Sequence, residues 1–227
     1  MRQSDVMVYL MTGFLDSGKT QFLTFTLEQD YFQIQGKTLL ILCEEGEEEY
    51  DPKEMLKYGV VIEKVEDKED LTEAWLEEMN RKHKPERVVV EYNGMWPVSD
   101  FEKLALPAGW KIEQKIATVD ASTFQMYLTN LKPLFVEMVK GAELVLFNRC
   151  EDRGPLAGYR RSVKVVSPQA EVIFEDENGE VDNIFEDEVP YDLNAPVIEI
   201  RREDYGIWYV DMMDNLDKYV DKTVRFK

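Results

Sequence analysis

The chain has 227 residues, a formal net charge of -19 and 44% hydrophobic residues, including 11 Phe, 11 Tyr and 4 Trp. That is enough apolar material for one large α/β domain with a small second element, and it excludes global disorder. The acidic balance argues against nucleic acid and anionic membrane surfaces as partners, because binding them needs basic stripes and the sequence has none.

No apolar run reaches the ~20 residues that span a bilayer. The opening "MRQSDVMVYLMTGF" has too short an apolar stretch and no small-residue cleavage site, so it does not read as a signal peptide. Two cysteines, Cys43 and Cys150, and one histidine, His83, make no disulfide framework and no cysteine–histidine zinc site. A reducing, cytoplasmic setting is expected.

In chain order, "DVMVYLMTG" (5–13) predicts a buried strand entering a glycine turn. "GKTQFLTFTLEQDYF" (18–32) predicts a helix carrying Phe22, Phe25, Leu27 and Phe32 at helical spacing. The apolar run 39–43 predicts a second strand, ending in the acidic "EEGEEEYD". An amphipathic helix over 70–85 stops at a proline, and 87–91 gives a third strand that ends on Glu91. Further strands are expected near 111–119, at 143–147 and at "AEVIF", with helices between them. Unalternating apolar strands separated by helices predict a doubly wound, mainly parallel α/β sheet covered on both faces. Ligands then belong at the carboxyl ends of the strands.

The acidic, turn-rich region 175–196 reads as a boundary or a solvated excursion. It divides a domain over 1–195 from a strand, an aromatic helix and a strand beginning at Thr223. The aromatic helix could dock a partner or cover the core. Ending in that strand at Lys227, the sequence looks cut short, with a further β-rich module expected beyond it.

"GFLDSGKT" (13–20) is G-x-x-x-x-G-K-T, the pattern of a phosphate-binding loop, with an apolar strand before it and a helix after. Backbone N–H groups of such a loop wrap the phosphates, a lysine reaches the outer two and a hydroxyl binds magnesium. The expected nucleotide set here is Gly13, Asp16, Ser17, Gly18, Lys19 and Thr20, with Lys19 the catalytic cation and Thr20 a metal ligand. Asp16 is an odd residue for an anion cradle. Its carboxylate is expected to turn away, since facing a phosphate a few ångströms off would cost on the order of 1–4 kcal/mol.

Two further motifs follow strands. "EYNG" puts Glu91 where it can hold magnesium through water or orient an attacking water, and Gly94 where its N–H can meet a γ-phosphate. "NRCED" stands where GTPases place N-K-x-D. Asn148 would tie loops together, Arg149 would cover the base and Glu151 would accept from guanine, with Asp152 as the alternative acceptor.

These three motifs in this order resemble the CobW/HypB/UreG family of P-loop GTPases. "CEEGEEEYD" resembles the CobW-type N-E-x-G-E-x-x-x-D at Glu44, Gly46, Glu47 and Asp51, and "ATVDASTF" resembles V-x-D-A-x-x-F at Asp120, Ala121 and Phe124. The resemblance covers roughly residues 6 to 155. It implies a P-loop NTPase fold, GTP/GDP and Mg as ligands, slow hydrolysis, Glu44 as a second magnesium ligand, and a homodimer or a client metalloprotein as partner. Two departures stand out. Gln21 replaces a threonine, and "YGVVIEKVEDK" holds no cysteine where CobW-like metallochaperones carry C-x-C-C. A harder site built from Cys43, Glu44 to Glu49 and His83 is one substitute, and a solvated acidic switch loop is the other reading. A degenerate scaffold without turnover and an ATP-dependent enzyme remain as alternatives.

Overall fold

The fold is organised by strands whose side chains are buried on both faces. In a computed structural model, which describes residues 5–181 and 189–227, strands β1 (Val6–Thr12), β2 (Thr38–Leu42), β3 (Val60–Lys64), β4 (Arg87–Glu91), β5 (Trp110–Asp120), β6 (Leu144–Asn148), β7 (Glu171–Asp176) and β8 (Gly179–Glu180) form one sheet. Its order is β3-β2-β4-β1-β5-β6-β7-β8, parallel throughout except for the β7–β8 pair. Val8, Leu10, Leu39, Ile41, Val88 and Val90 join one buried cluster, while Met11, Leu40, Leu42 and Val89 join the other. Alternate residues of one apolar run thus feed two opposite cores, which is why these strands show no hydrophobic alternation.

Helices α1 (Lys19–Glu28) and α2 (Pro52–Lys57) supply Leu23, Leu27 and Met55 to the smaller cluster. The larger one takes residues of α3 (Glu73–His83), α4 (Val98–Glu102), α5 (Phe124–Asn130), α6 (Lys132–Val139) and α7 (Leu156–Val166). Phe124 is at its centre, edge-on to Phe135, Phe147 and Tyr159. Beyond the sheet, β9 (Ile198–Ile200) and β10 (Val224–Phe226) pair in parallel around α8 (Tyr205–Asp214), with Ile198, Ile200 and Tyr219 as a separate small cluster.

Three sequence expectations change. The stretch holding "VVIEK", noted only for lacking cysteine, is the edge strand β3, so 87–91 is the fourth strand and not the third. Only Val60 of β3 is fully buried, and the half-polar remainder hides the strand pattern. Leu23 and Leu27 are the buried positions of α1, while Phe25 faces solvent. The excursion expected from 175 instead begins as a hairpin, Glu175 opposite Glu180, because the Asp176 carboxylate accepts from Asn178 N and Gly179 takes φ +115°. The rest of that acidic run, 182–188, lies outside the described residues. The expected terminal strand is present as β10.

Candidate nucleotide-binding site

The strand order reverses around β1, and the loop that leaves β1 sits at that switch point. Gly13 and Gly18 have φ +148° and +89°, and a Cβ on Gly13 would lie 2.4 Å from Ser17 Oγ. Gly18 ends the loop at the N-terminus of α1; Ser17 N donates to Phe14 O at 3.1 Å, while the first N–H groups of the helix have no helical partner and are open to an anion. Ser17 Oγ and Thr118 Oγ1, 2.9 Å apart, pin the loop to β5.

Lys19 is buried, and its ammonium donates to Gly13 O and Phe14 O, both at 2.9 Å, and to Glu44 Oε2 at 2.6 Å. These acceptors use all three of its N–H bonds, and the only charged one is a carboxylate from the acidic loop after β2. Asp16 has φ +57°. Its carboxylate accepts from Glu47 N at 3.2 Å and so links the phosphate loop to the same acidic loop.

β4 lies next to β1 with Glu91 opposite Met11, bringing the Glu91 carboxylate to the start of α1. Glu91 is 2% exposed; Oε1 accepts from Thr20 Oγ1 at 2.8 Å and Oε2 accepts from the Tyr50 hydroxyl. Burial pushes the Glu91 carboxyl above the usual range, against the lowering effect of the two hydroxyl donors and Lys19. Burial beside Glu91 likewise pushes the Tyr50 phenol far up, so it stays a donor. Gly94 fits beneath the phosphate loop, where a Cβ would stand 2.4 Å from Gly13 O, and its N–H donates to Glu44 Oε1 at 3.2 Å. Space is what this glycine provides, since its backbone is not in the left-handed region.

At the end of β6, Asn148 Nδ2 donates to Ser17 O at 2.8 Å, while its Oδ1 is buried without a partner. Arg149, at φ +54°, donates from Nη1 to Asp16 O at 2.9 Å and to Asp120 Oδ2 at 2.6 Å. Asp152 and Glu151 are both exposed, and Asp152 accepts from Gly154 N at 3.1 Å. The sequence-predicted residues Gly13, Asp16, Ser17, Gly18, Lys19, Thr20, Glu44, Glu91, Gly94, Asn148 and Arg149 are therefore connected, and Glu151 stands at the margin. Sequence reading missed Tyr50, Thr118 and the Arg149–Asp120 pair. Tyr50, as the one aromatic residue in the acidic run, was the available signal.

The donor set fits magnesium. Thr20 commits its proton to Glu91, which leaves hydroxyl lone pairs free, and Glu44 adds a carboxylate; hard oxygen donors together with substrate phosphates are what this ion takes. The Cys43 and His83 alternative is not assembled. Cys43 is buried and its thiol is pushed up by burial and the Glu91 and Glu44 charges, while His83 Nε2 lies 2.6 Å from Glu63 Oε1. Burial also raises the Cys150 thiol to about 11, so neither sulfur is a ready thiolate. Among the described residues no group of three or more His, Cys, Asp or Glu side chains is arranged for a metal.

With the acidic loop in this position, the space between Lys19, Thr20, Glu44, Glu47 and Arg149 is ≈70 Å³, below the ~300–1,000 Å³ of a small-molecule pocket. On the other side of Tyr50 a groove of ≈530 Å³ runs between Glu48, Glu49, Leu56 and Ile62. No helix among the described residues is long and apolar enough to cross a membrane.

A glycine-bounded loop on the switch-point strand of a parallel sheet, with its lysine closed by a loop carboxylate and its hydroxyl on a neighbouring-strand carboxylate, defines a P-loop nucleotide-binding protein. The chain belongs to the CobW/HypB/UreG family, whose nucleotide-binding domain model matches residues 7–174. Its fold is similar to that of the Zn(II)-bound YjiA GTPase from E. coli (TM-score 0.56, 23% identity, 79% of this chain and 60% of that one). It is also similar to the hydrogenase maturation factor HypB from Archaeoglobus fulgidus (TM-score 0.51, 19% identity, 77% and 82%). The chain thus spans about 60% of the length of the YjiA structure. None of the curated proteins matches it.

Proposed function

We propose that the chain is a cytoplasmic, magnesium-dependent GTP-binding protein with slow GTP hydrolysis. It would assist metal or cofactor delivery to a client protein, without the thiolate motif of CobW-like metallochaperones. The observation that carries this is the buried Lys19 ammonium closed by a carboxylate on a loop, an anion position that a phosphate can take over. Lys19 and the loop amides would then neutralise the β- and γ-phosphates, with Thr20 and Glu44 holding magnesium. Magnesium, when bound, withdraws charge from the phosphate oxygens. Glu91 would orient Thr20, or a water beside it. On this reading residues 1–195 form the nucleotide-binding unit and 196–227 belong to a second element.

Guanine recognition rests on Asn148 and the residues after it. A buried amide oxygen without a donor costs about 1–3 kcal/mol, and an exocyclic amino group of a base would supply that donor. Glu151 is the better acceptor candidate for guanine, since Asp152 already accepts from Gly154 N. Slow turnover fits a site in which Arg149 is tied to Asp120 and not directed at the phosphates.

The test is calorimetric titration of GTP, GDP and ATP with and without magnesium. Tight, magnesium-strengthened binding of the guanine nucleotides is expected; no binding of any nucleotide would sink the proposal. A second reading, a switch that docks a partner without turnover, is favoured by the closed acidic loop over the phosphate loop. Nucleotide binding with no phosphate release over hours would select it.

A further inference from the structure

Tyr50 sits at the far end of the acidic loop from Glu44, and nothing in the phosphate-loop pattern calls for it. Its ring is fixed by packing. It lies in the smaller core cluster with Met11, Leu23, Leu40, Leu42 and Met55. The next residue, Asp51, caps α2 by accepting from Lys53 N at 2.8 Å and from Glu54 N at 3.4 Å. A tyrosine held in this way delivers its hydroxyl to one place.

That place is Glu91 Oε2. The terminal torsion of a glutamate is soft, so one donor leaves its carboxylate plane free to turn. Thr20 holds Oε1 and Tyr50 holds Oε2, and the pair of donors fixes the plane. Thr20 can keep its proton on Glu91, and its lone pairs outward, only while that plane is kept. Both donors are neutral hydroxyls, so the carboxylate is steered by geometry and not by an ion pair.

We infer that Tyr50 is a positioning residue: through Glu91 it sets the direction of the Thr20 hydroxyl and so prepares the magnesium side of the nucleotide site. The inference rests on the nucleotide-binding reading above. It also gives the acidic loop two distinct ends. The Glu44 end competes with a phosphate for Lys19, and the Tyr50 end supports the metal ligand.

The experiment is calorimetry of GDP and GTP, each with and without magnesium, on the wild type, Tyr50→Phe, Glu91→Gln and the double variant. Tyr50→Phe keeps the ring, so its melting temperature and magnesium-free affinity are expected to stay near wild type. The gain in affinity on adding magnesium is expected to fall about tenfold, the scale of one lost hydrogen bond to a charged group. If Tyr50 acts through Glu91, the double variant should lose no more than Glu91→Gln alone. Replacing Tyr50 alone with 3-fluorotyrosine keeps a hydroxyl donor and is expected to keep the gain; a loss as large as that of Tyr50→Phe would assign the effect to packing and overturn the inference. An unchanged gain in Tyr50→Phe, additive losses in the double variant, or equal losses with and without magnesium would each overturn the inference and leave the nucleotide-binding reading standing. A wild type that binds no nucleotide overturns both.

Discussion

Each end of the sheet holds a buried cation, and the two are held in different ways. At the carboxyl ends of the strands, Lys19 is 4% exposed and its charged partner, Glu44, comes from a loop. At the amino ends, Arg87 is 6% exposed and donates to Phe32 O at 2.6 Å and to Thr38 Oγ1 at 2.9 and 3.1 Å, with its guanidinium carbon 3.8 Å from the Phe32 ring centre. Burial lowers the Arg87 pKa from its ordinary value, and neutral framework groups satisfy its forked donors. Arg87 joins strands and has nothing to release. Lys19 is paired with an anion that a ligand can replace. Burial of a cation alone therefore does not mark a site; an exchangeable partner does.

The strongest way to break this contrast is Lys19→Ala. Nucleotide affinity should fall by more than about 1,000-fold, or roughly 4 kcal/mol, and the melting temperature should fall too, because Gly13 O, Phe14 O and Glu44 lose their donor. Unchanged affinity by calorimetry would remove the phosphate-loop assignment. Arg87→Met should also cost stability, about 2–3 kcal/mol by leaving buried acceptors unmatched, but its folded fraction should bind nucleotide normally. Denaturant unfolding reads that loss.

Glu44→Gln sharpens the comparison. Removing the competing charge from Lys19 should tighten magnesium-free GDP binding about fivefold, near 1 kcal/mol, and reduce the gain that magnesium brings. No change in magnesium-free affinity would mean that Glu44 does not guard the lysine.

The smallest effect belongs to Glu63. Burial alone would raise its pKa, but hydrogen bonds from Lys82 and His83 outweigh burial and hold it below the usual value. A depressed carboxyl stabilises the fold above its unfolded pKa, about 4.3, and that contribution is lost as pH falls through the lower folded value. Glu63→Gln should therefore cost under about 1 kcal/mol at neutral pH and nothing once the carboxyl is protonated. Melting temperatures at pH 7 and pH 3 make the comparison.

The parts legible in the sequence were those written in consecutive residues. Gly13 to Thr20 follow a fixed spacing, and the strand that ends on Glu91 is an unbroken apolar run. Glu91 is therefore placed beside the phosphate loop by the sequence alone. Strand β3 stayed hidden because an edge strand covers one neighbour only and carries Glu63 and Lys64 in its run. Tyr50 and the Arg149–Asp120 pair were hidden for another reason, since their partners lie 41 and 29 residues away. No local pattern encodes such a partner. Asp16 is an odd residue for an anion cradle, and the amide of Glu47, a partner that no local pattern encodes, gives its carboxylate a donor other than one shared with phosphate.

That carboxylate has a consequence for how the molecule opens. Asp16 accepts from Glu47 N through its side chain and from Arg149 through its carbonyl, so three loops far apart in sequence share one residue as their joint. Segments tied in this way unzip together, as one sub-global opening with a single free energy. Amide hydrogen exchange at Glu47, at Ser17 and at Cys150, whose N–H groups are all hydrogen-bonded, should therefore run at correlated rates. Asp16→Ala should release the acidic loop to exchange early while the strands behind it keep their protection.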